Sequence, residues 1–269
     1  MAERGLGFWQ RTAVVLVLPV LKMWTKRTWT GQENVPAAGG VIIAPNHMSH
    51  FDPLVMAHFL YGAGRWPRFL AKASLWDVPV VGFFLRKTLQ IPVERGSVEA
   101  VKSLDALVQA LREGGAVIIY PEGTTTKQPE LWPMRGKTGA ARLALLTGAP
   151  IVPIAHWGAQ EIFDVRTRKF SLRPRRPVSV VAGKPIDVSR WEGAVPSRAV
   201  LDEMTDTIMT AVRDQLAGIR HAEPPPLHPA PARRPETPEA AGSAEQPKAA
   251  GTGEPPTAAG STEPPAVAG

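Results

Sequence analysis

Short apolar runs alternate with amphipathic segments along most of this chain. The runs are rich in Val and Ile, which predicts buried strands; they lie at 40–44, 68–72, 89–93, 116–120, 151–154 and 178–182. Other segments carry apolar side chains at helical spacing; they lie at 53–61, 97–113, 136–146 and 196–216. Strands that alternate with helices predict an α/β fold, with a mixed, largely parallel sheet flanked by helices.

Residues 1–30 form an N-terminal segment with an apolar stretch from Ala13 to Leu21, which contains Pro19. A helix needs about 20 apolar residues to span a bilayer, so this stretch is too short. Trp and basic residues flank it, as in helices that lie in the headgroup layer; they are Trp9, Lys22, Trp24, Lys26, Arg27 and Trp29. We therefore expect a monotopic, membrane-associating helical segment. The alternatives are an amphipathic helix packed on the domain and a signal peptide, for which a small-residue cleavage site is lacking.

The other end of the chain differs in composition. Residues 222–269 are mostly Pro, Ala, Gly, Glu and Thr, with almost no large apolar side chains. Such a segment cannot bury enough surface to offset the entropy of ordering, so we expect a disordered tail. Residues 31–221 then fit one domain. The tail has six Glu against three cationic residues and the whole chain carries +7, so residues 1–221 carry +10.

This positive charge suits an anionic membrane surface, a phosphorylated substrate or nucleic acid. The sequence has no RNA-binding aromatic signature and no zinc-finger spacing, so we expect no nucleic-acid partner. It also has no Cys, which excludes disulfides, thiolate metal ligands and a Cys nucleophile.

The stretch from Pro45 to Pro53 is the first candidate site, because it connects a buried strand to a helix. Asp52 is a good helix N-cap, and Pro53 suits the first helical position. The turn could also fold the imidazole of His47 back onto the Asp52 carboxylate. One ring nitrogen would then donate to Asp52 and the other would act as a base, which is the arrangement of a catalytic dyad. The alternative is a structural or solvated His.

A second apolar strand ends in a similar turn, Tyr120-Pro121-Glu122-Gly123-Thr124. Together the two turns resemble the glycerolipid acyltransferases typified by 1-acylglycerol-3-phosphate acyltransferase. Their motifs are an Asn-His pair with an Asp after four intervening residues, matched by Asn46, His47 and Asp52, and a Pro-Glu-Gly-Thr block. Two weaker blocks follow the family's order: a Pro-x-x-Arg-like block that ends at Arg95, and the apolar block at 151–154.

The resemblance implies transfer of a fatty acyl group from a thioester to the free hydroxyl of lysophosphatidic acid, which gives phosphatidic acid in phospholipid biosynthesis. It implies that His47 is the general base, that Asp52 orients it, and that the acceptor contacts Arg95, Glu122, Gly123 and Thr124. The expected partners are a lysophospholipid, acyl-CoA or acyl carrier protein as co-substrate, and the membrane surface. No other cofactor and no metal are expected, and the expected location is the cytoplasmic side of the cell membrane, peripheral or monotopic.

One position departs from the family, which has Arg after Glu-Gly-Thr where this chain has Thr125. Lys127, Arg135 or Lys137 could supply the missing charge, and Lys137 is favoured because it is predicted to open a helix, whose free N–H groups attract anions. The departure leaves transfer to another lysolipid or polyol as an alternative.

Two other function classes stay open. A metal-dependent hydrolase could use His47, His50, Asp52 and His58, although the usual ligand spacing is absent. A non-catalytic binder is the other, but it has no need for the His47–Asp52 arrangement. The apolar segment 75–89 is either core or a wall for an apolar substrate, and core packing is the simpler expectation.

Overall fold

The computed structural model describes residues 5–93 and 99–226, and side chains from 5 to 93 and from 104 to 226. Nine strands lie in this part of the chain: β1 Thr25–Thr30, β2 Val41–Pro45, β3 Pro67–Lys72, β4 Ile91–Val93, β5 Ala116–Ile118, β6 Ile151–Trp157, β7 Phe163–Asp164, β8 Lys169–Phe170 and β9 Arg176–Ala182. Seven of them form one sheet in the order β1-β9-β6-β2-β5-β3-β4, and β7 pairs with β8 in a separate hairpin.

The central sheet is mixed and mostly parallel. The β6–β9 pairing is antiparallel, whereas β2 runs parallel to both of its neighbours, β5 and β6. The predicted fold class is therefore confirmed. Because β2 and β5 are parallel and adjacent, with Ile43 opposite Ile118, the turns that follow them emerge at the same edge of the sheet.

Helices cover both faces of this sheet. They are α1 Phe8–Trp24, α2 Asp52–Gly62, α3 Pro79–Lys87, α4 Glu99–Arg112, α5 Gly139–Thr147 and α6 Arg198–Arg220. Side chains alternate along β2, so Val41 and Ile43 pack in one apolar cluster with residues of α2, while Ile42 and Ala44 pack in another with residues of α4, α5 and α6. Burial on both faces explains why the central strands are continuously apolar.

The N-terminal segment combines a helix with a strand. Residues 25–30 form β1, which pairs with β9 and so joins this segment to the sheet. No helix in the described ranges is long and apolar enough to cross a membrane. Many apolar side chains of α1 are exposed instead, among them Val15 and Leu16.

The apolar segment 75–89 does not pack as core. It forms a short 3₁₀ turn and α3, and Val78, Val80 and Val81 are exposed. The expectation of core packing was therefore wrong for these residues. The helix itself is held by aromatic contacts, since the Trp9 ring of α1 meets Phe83 and Phe84 edge to face.

Candidate active site

The candidate site lies where β2 and β5 end. The backbone N–H of His47, just after β2, donates to Glu122 Oε1 at 2.9 Å. In return, the carbonyl of His47 accepts from the backbone N–H of Thr126 at 2.7 Å. The two turns that the sequence singled out are thus in direct contact.

His47 and Asp52 form the contact that the turn predicts. His47 Nδ1 lies 2.8 Å from Asp52 Oδ2, with the Asp52 side chain fully buried and the His47 side chain 16% exposed. A carboxylate oxygen accepts, so Nδ1 carries the proton and Nε2 is left as the basic nitrogen. Such an imidazole can take a proton from a group that approaches from solvent.

Asp52 does not cap α2, and this expectation was wrong. The residue before the helix is Phe51, with no side-chain cap, and Asp52 is the first helical residue. Its Oδ2 accepts instead from the backbone N–H groups of Met48 at 2.7 Å and Ser49 at 2.8 Å. Together with His47, these donors hold the buried carboxylate within its own turn, which fixes the position of the imidazole.

Ser49 lies in the turn between β2 and α2. Its hydroxyl donates to the carbonyl of Phe163 in β7 at 2.7 Å and accepts from the backbone N–H of Phe51 at 3.0 Å. Both the proton and a lone pair of this hydroxyl are engaged. Ser49 also ties the His47 turn to the β7–β8 hairpin.

His156 on β6 is a buried contact of the site that the sequence analysis missed. Its Nε2 donates to the carbonyl of Asn46 at 2.9 Å and lies 3.7 Å from Asp52 Oδ2. Asn46 also exchanges two hydrogen bonds with the backbone of His156, 110 residues away. A polar residue at a buried position of an otherwise apolar strand was the available signal.

Tyr120 is a second residue that the analysis missed. Its ring stacks on the imidazole of His47, with centroids 4.2 Å apart and 25° between the planes. Burial, and to a lesser degree the charge of Asp52, raises the pKa of the Tyr120 phenol well above its usual value. The stack restrains rotation of the His47 ring out of the plane in which it meets Asp52.

Glu122 is buried, and both of its oxygens are engaged by the backbone. Oε1 accepts from His47 and Oε2 accepts from the N–H of Met134 at 3.0 Å. Burial raises the pKa of Glu122 to about 8, although these two amide hydrogen bonds lower it. In this arrangement Glu122 joins the two turns and the loop that contains Met134, and it is only 3% exposed to an approaching acceptor.

Gly123 and Lys137 lie against each other. Gly123 has φ +69°, a conformation that favours glycine, and a Cβ at this position would come within 2.9 Å of Lys137 Nζ, so the Lys137 side chain would have to shift. The backbone N–H of Lys137 donates to the carbonyl of Pro121 at 2.8 Å. Helix α5 starts only at Gly139, so Lys137 does not open it as predicted, but it does reach the candidate site.

Thr124 and Arg95 are the other two residues that were predicted to contact the acceptor. Thr124 is exposed and lines a cavity beside the turn. Arg95 lies outside the described residues.

The four residues considered for a metal site do not converge. The Nε2 of His58 faces the guanidinium of Arg27 at 3.1 Å, and burial followed by the charge of Arg27 lowers the pKa of His58 to about 4. The ring of His50 packs near Phe163. Within the described ranges, no group of three or more His, Cys, Asp or Glu residues could hold a metal ion.

Comparison with protein-family models matches residues 26–157 to the family described as Acyltransferase. This segment belongs to the acyltransferase family. The acyltransferase segment contains His47, Asp52, Glu122, Lys137 and His156, and it ends before the β7–β8 hairpin.

Curated relatives agree with this assignment. The chain is 33% identical to the 1-acyl-sn-glycerol-3-phosphate acyltransferase of Borreliella burgdorferi over 135 residues, which is 50% of this chain and 52% of the relative. It is 28% identical to the enzyme of that name from Bacillus subtilis over 189 residues, 68% of this chain and 84% of the relative. The alignment with this chain covers only 52% of the Borreliella burgdorferi relative and 44% of a relative from Brassica napus.

A solved structure supports the fold. The crystal structure of PlsC, the 1-acyl-sn-glycerophosphate acyltransferase of Thermotoga maritima, superposes with a TM-score of 0.56 at 21% identity. The match covers 81% of this chain and 79% of that protein. The mixed sheet flanked by helices is therefore an architecture that this chain shares with a solved structure.

Proposed function

We propose that this protein is an O-acyltransferase of phospholipid biosynthesis. It moves a fatty acyl group from a thioester of coenzyme A or acyl carrier protein to the free hydroxyl of lysophosphatidic acid, and the product is phosphatidic acid. The main support is the 2.8 Å contact between His47 Nδ1 and Asp52 Oδ2 inside the acyltransferase segment. The choice of acceptor follows the names of the relatives from Borreliella burgdorferi and Bacillus subtilis.

In the proposed mechanism, His47 Nε2 accepts the proton of the acceptor hydroxyl while the hydroxyl oxygen attacks the carbonyl carbon of the thioester. The tetrahedral intermediate collapses, the C–S bond breaks, and the leaving thiolate takes the proton from His47. Asp52 orients the ring through Nδ1 and stabilises its transient positive charge. This route requires neither a covalent acyl-enzyme nor a metal ion.

Acceptor binding is assigned to the neighbouring turn. Lys137, packed against Gly123, supplies positive charge for the phosphate, and Thr124 is exposed beside it. Glu122 acts by holding the turn onto His47 rather than by contacting the acceptor. Arg95 is retained as a predicted phosphate ligand.

The proposed location is the cytoplasmic face of the cell membrane, where the protein is peripheral or monotopic. The support is an apolar surface on α1 and α3, where Val15 is 69% exposed, Leu16 63% and Val80 68%. Apolar area of this kind, with Lys22, Lys26 and Arg27 nearby, favours burial at an anionic membrane surface.

The function is tested with His47→Asn, which keeps an N–H donor for Asp52 but removes the base. Phosphatidic acid is measured from lysophosphatidic acid and a long-chain acyl-CoA in mixed micelles. We expect kcat to fall by about 10²–10⁴-fold, the usual contribution of a positioned base. His221→Asn, at an exposed His after α6, is the matched control and should keep wild-type kcat.

Equal turnover by His47→Asn and the wild type would contradict the proposed base. If the wild type forms no phosphatidic acid with acyl-CoA or acyl carrier protein as donor, the acceptor assignment fails, while the family of the segment stands.

Membrane binding is tested with Leu16→Glu on vesicles of phosphatidylcholine and phosphatidylglycerol. Loss of one buried Leu side chain and gain of a charge should lower the partition coefficient at least about tenfold. Val195→Glu, which alters an apolar residue that is 80% exposed outside α1 and α3, should bind like the wild type. Equal losses in the two variants would contradict a membrane-facing α1.

A further inference from the structure

A cavity of about 560 Å³ lies beside the candidate active site. One wall is the 124–127 loop, which continues the Glu122 turn, and the other is the β7–β8 hairpin. Lys127, Arg166 and Arg168 line it together with Thr124, Thr125 and His50, and no Asp or Glu is among its described lining residues. The cavity is therefore strongly cationic.

Arg166 holds the two walls together. Its Nη1 donates to the carbonyl of Pro129 at 2.7 Å, and its Nη2 donates to the carbonyl of Gln128. These partners are neutral, so they fix the orientation of the guanidinium without cancelling its charge.

The carboxylate nearest in sequence, Asp164, is hydrogen-bonded within the hairpin, and these hydrogen bonds, followed by the charge of Arg166, lower its pKa. Asp164 accepts from the backbone N–H of Arg166 at 2.8 Å and from the hydroxyl of Thr167 at 3.0 Å. In the described part of the chain, the ion pairs do not include Lys127, Arg166 or Arg168. Three cations without a paired carboxylate around one cavity favour an anionic ligand.

The cavity is also joined to the His47 turn. The Ser49 hydroxyl donates to the carbonyl of Phe163 at the start of the hairpin, and the ring of His50 lies 5.5 Å from the ring of Phe163. A ligand in this cavity is thus held next to the group proposed to do the chemistry.

We propose that this cavity binds a phosphate group of one of the substrates, with Arg168, Arg166 and Lys127 supplying the charge. Arg and Lys with hydroxyl donors match the oxygens of a phosphate. The identity of the substrate rests on the proposed function: the phosphate belongs either to the lysophosphatidic acid acceptor or to the coenzyme A of the donor. The hairpin lies beyond the segment matched by the family, 26–157, so the family match does not include Arg166 and Arg168.

Arg168→Asn tests the assignment, and Arg175→Asn is a matched control. Both arginines are exposed and both have a left-handed backbone, with φ 55° and 54°, which Asn tolerates well. Only Arg168 lines the cavity. KM is measured for each substrate at saturating concentration of the other, in mixed micelles of neutral detergent.

We expect Arg168→Asn to raise one KM about tenfold, the effect of one lost charge-assisted contact, with kcat within about twofold of the wild type. A rise in the KM of lysophosphatidic acid assigns the cavity to the acceptor phosphate, which it would then hold together with Lys137. A rise in the KM of acyl-CoA assigns it to the donor. Two unchanged KM values, or an equal rise in Arg175→Asn, would overturn the proposal.

A second measurement keeps this proposal separate from the proposed function. Inorganic phosphate should raise the melting temperature of the wild type and Arg175→Asn, relative to potassium chloride of equal ionic strength, and should raise that of Arg168→Asn less. This result stands even if the wild type forms no phosphatidic acid, in which case only the proposed function fails. Equal increases in all three proteins would overturn the phosphate site.

Rescue provides the final test. Thr125 lines the same cavity, so Thr125→Arg in the Arg168→Asn background returns a cation to it. We expect the affected KM to fall at least threefold toward the wild-type value, and no recovery would contradict a shared anion site.

Discussion

The turn around Asp52 and the cavity beside Thr124 are neighbours built in opposite ways. Asp52 and Glu122 are buried, and their carboxylates accept from backbone N–H groups and from His47. In the cavity, Lys127 and Arg168 are exposed and belong to none of the ion pairs in the described ranges.

The difference follows from what burial does to a charge. A buried carboxylate without hydrogen bonds is strongly unfavourable, so donors must be held in place around it, as three are around Asp52 Oδ2. An exposed cation is solvated at little cost and stays available to a ligand. Proton transfer needs the fixed geometry of the buried carboxylate. Reversible binding of a charged substrate suits the exposed cations.

Among the variants that compare these two regions, Asp52→Asn has the largest expected effect. The amide can present an N–H to His47 Nδ1 in place of an acceptor, and it lacks the charge that stabilises the imidazolium. We expect kcat to fall by about 10²-fold or more, with KM for both substrates changed less than threefold. Steady-state kinetics measures both parameters.

Asp187→Asn is the control for Asp52→Asn. Asp187 is an exposed carboxylate that also accepts from a nearby backbone N–H, that of Ser189 at 2.9 Å. Its substitution should leave kcat unchanged. If Asp52→Asn raised KM and spared kcat, the division between a catalytic turn and a binding cavity would break down.

The tenfold KM change expected for Arg168→Asn is smaller, and it should appear without a loss of kcat. A double variant, Asp52→Asn with Arg168→Asn, sharpens the comparison. If the two regions act independently, the changes in kcat and KM should combine additively in free energy.

A separate prediction concerns stability rather than turnover, namely its pH dependence at Glu122. The folded protein holds the proton of Glu122 up to a pKa of about 8, against 4.5 for the ordinary group. Between these two pH values the native state therefore binds more protons than the unfolded state. The contribution of Glu122 to the free energy of unfolding is fully present below pH 4.5 or so, and it is lost as the pH rises through about 8.

Glu122→Gln removes this titration. The free energy of unfolding of the wild type minus that of the variant should thus decrease from pH 5 to pH 8.5, by on the order of a few kcal/mol. Urea unfolding at several pH values measures it. If the difference in the free energy of unfolding between the two proteins did not depend on pH, Glu122 would be ionised throughout this pH range. The buried turn would then hold a charged side chain, as the exposed cavity does.

Much of the fold and one part of the site could be predicted from local sequence. Continuous apolar runs predicted the central strands, and their alternation with helices predicted the mixed, largely parallel sheet. The His47–Asp52 contact was also foreseen because it spans five residues within one turn, where chain geometry limits the choices. The N-cap role of Asp52 was wrong because the same carboxylate accepts from Met48 and Ser49, and local sequence does not say which N–H groups it meets.

Only the tertiary structure placed the remaining residues of the site. His156 meets Asn46 because β6 is the neighbour of β2, and Arg166 reaches the 128–129 carbonyls because the hairpin folds back over that loop. Val80 is likewise exposed because neither the sheet nor α1 packs over it. The sequence by itself determined the central strands, most of the helices and the short-range dyad, since these depend on periodicity and local sterics; β1, β7, β8 and α3 were not predicted. Contacts between distant segments depend on strand order and packing, which local patterns do not encode.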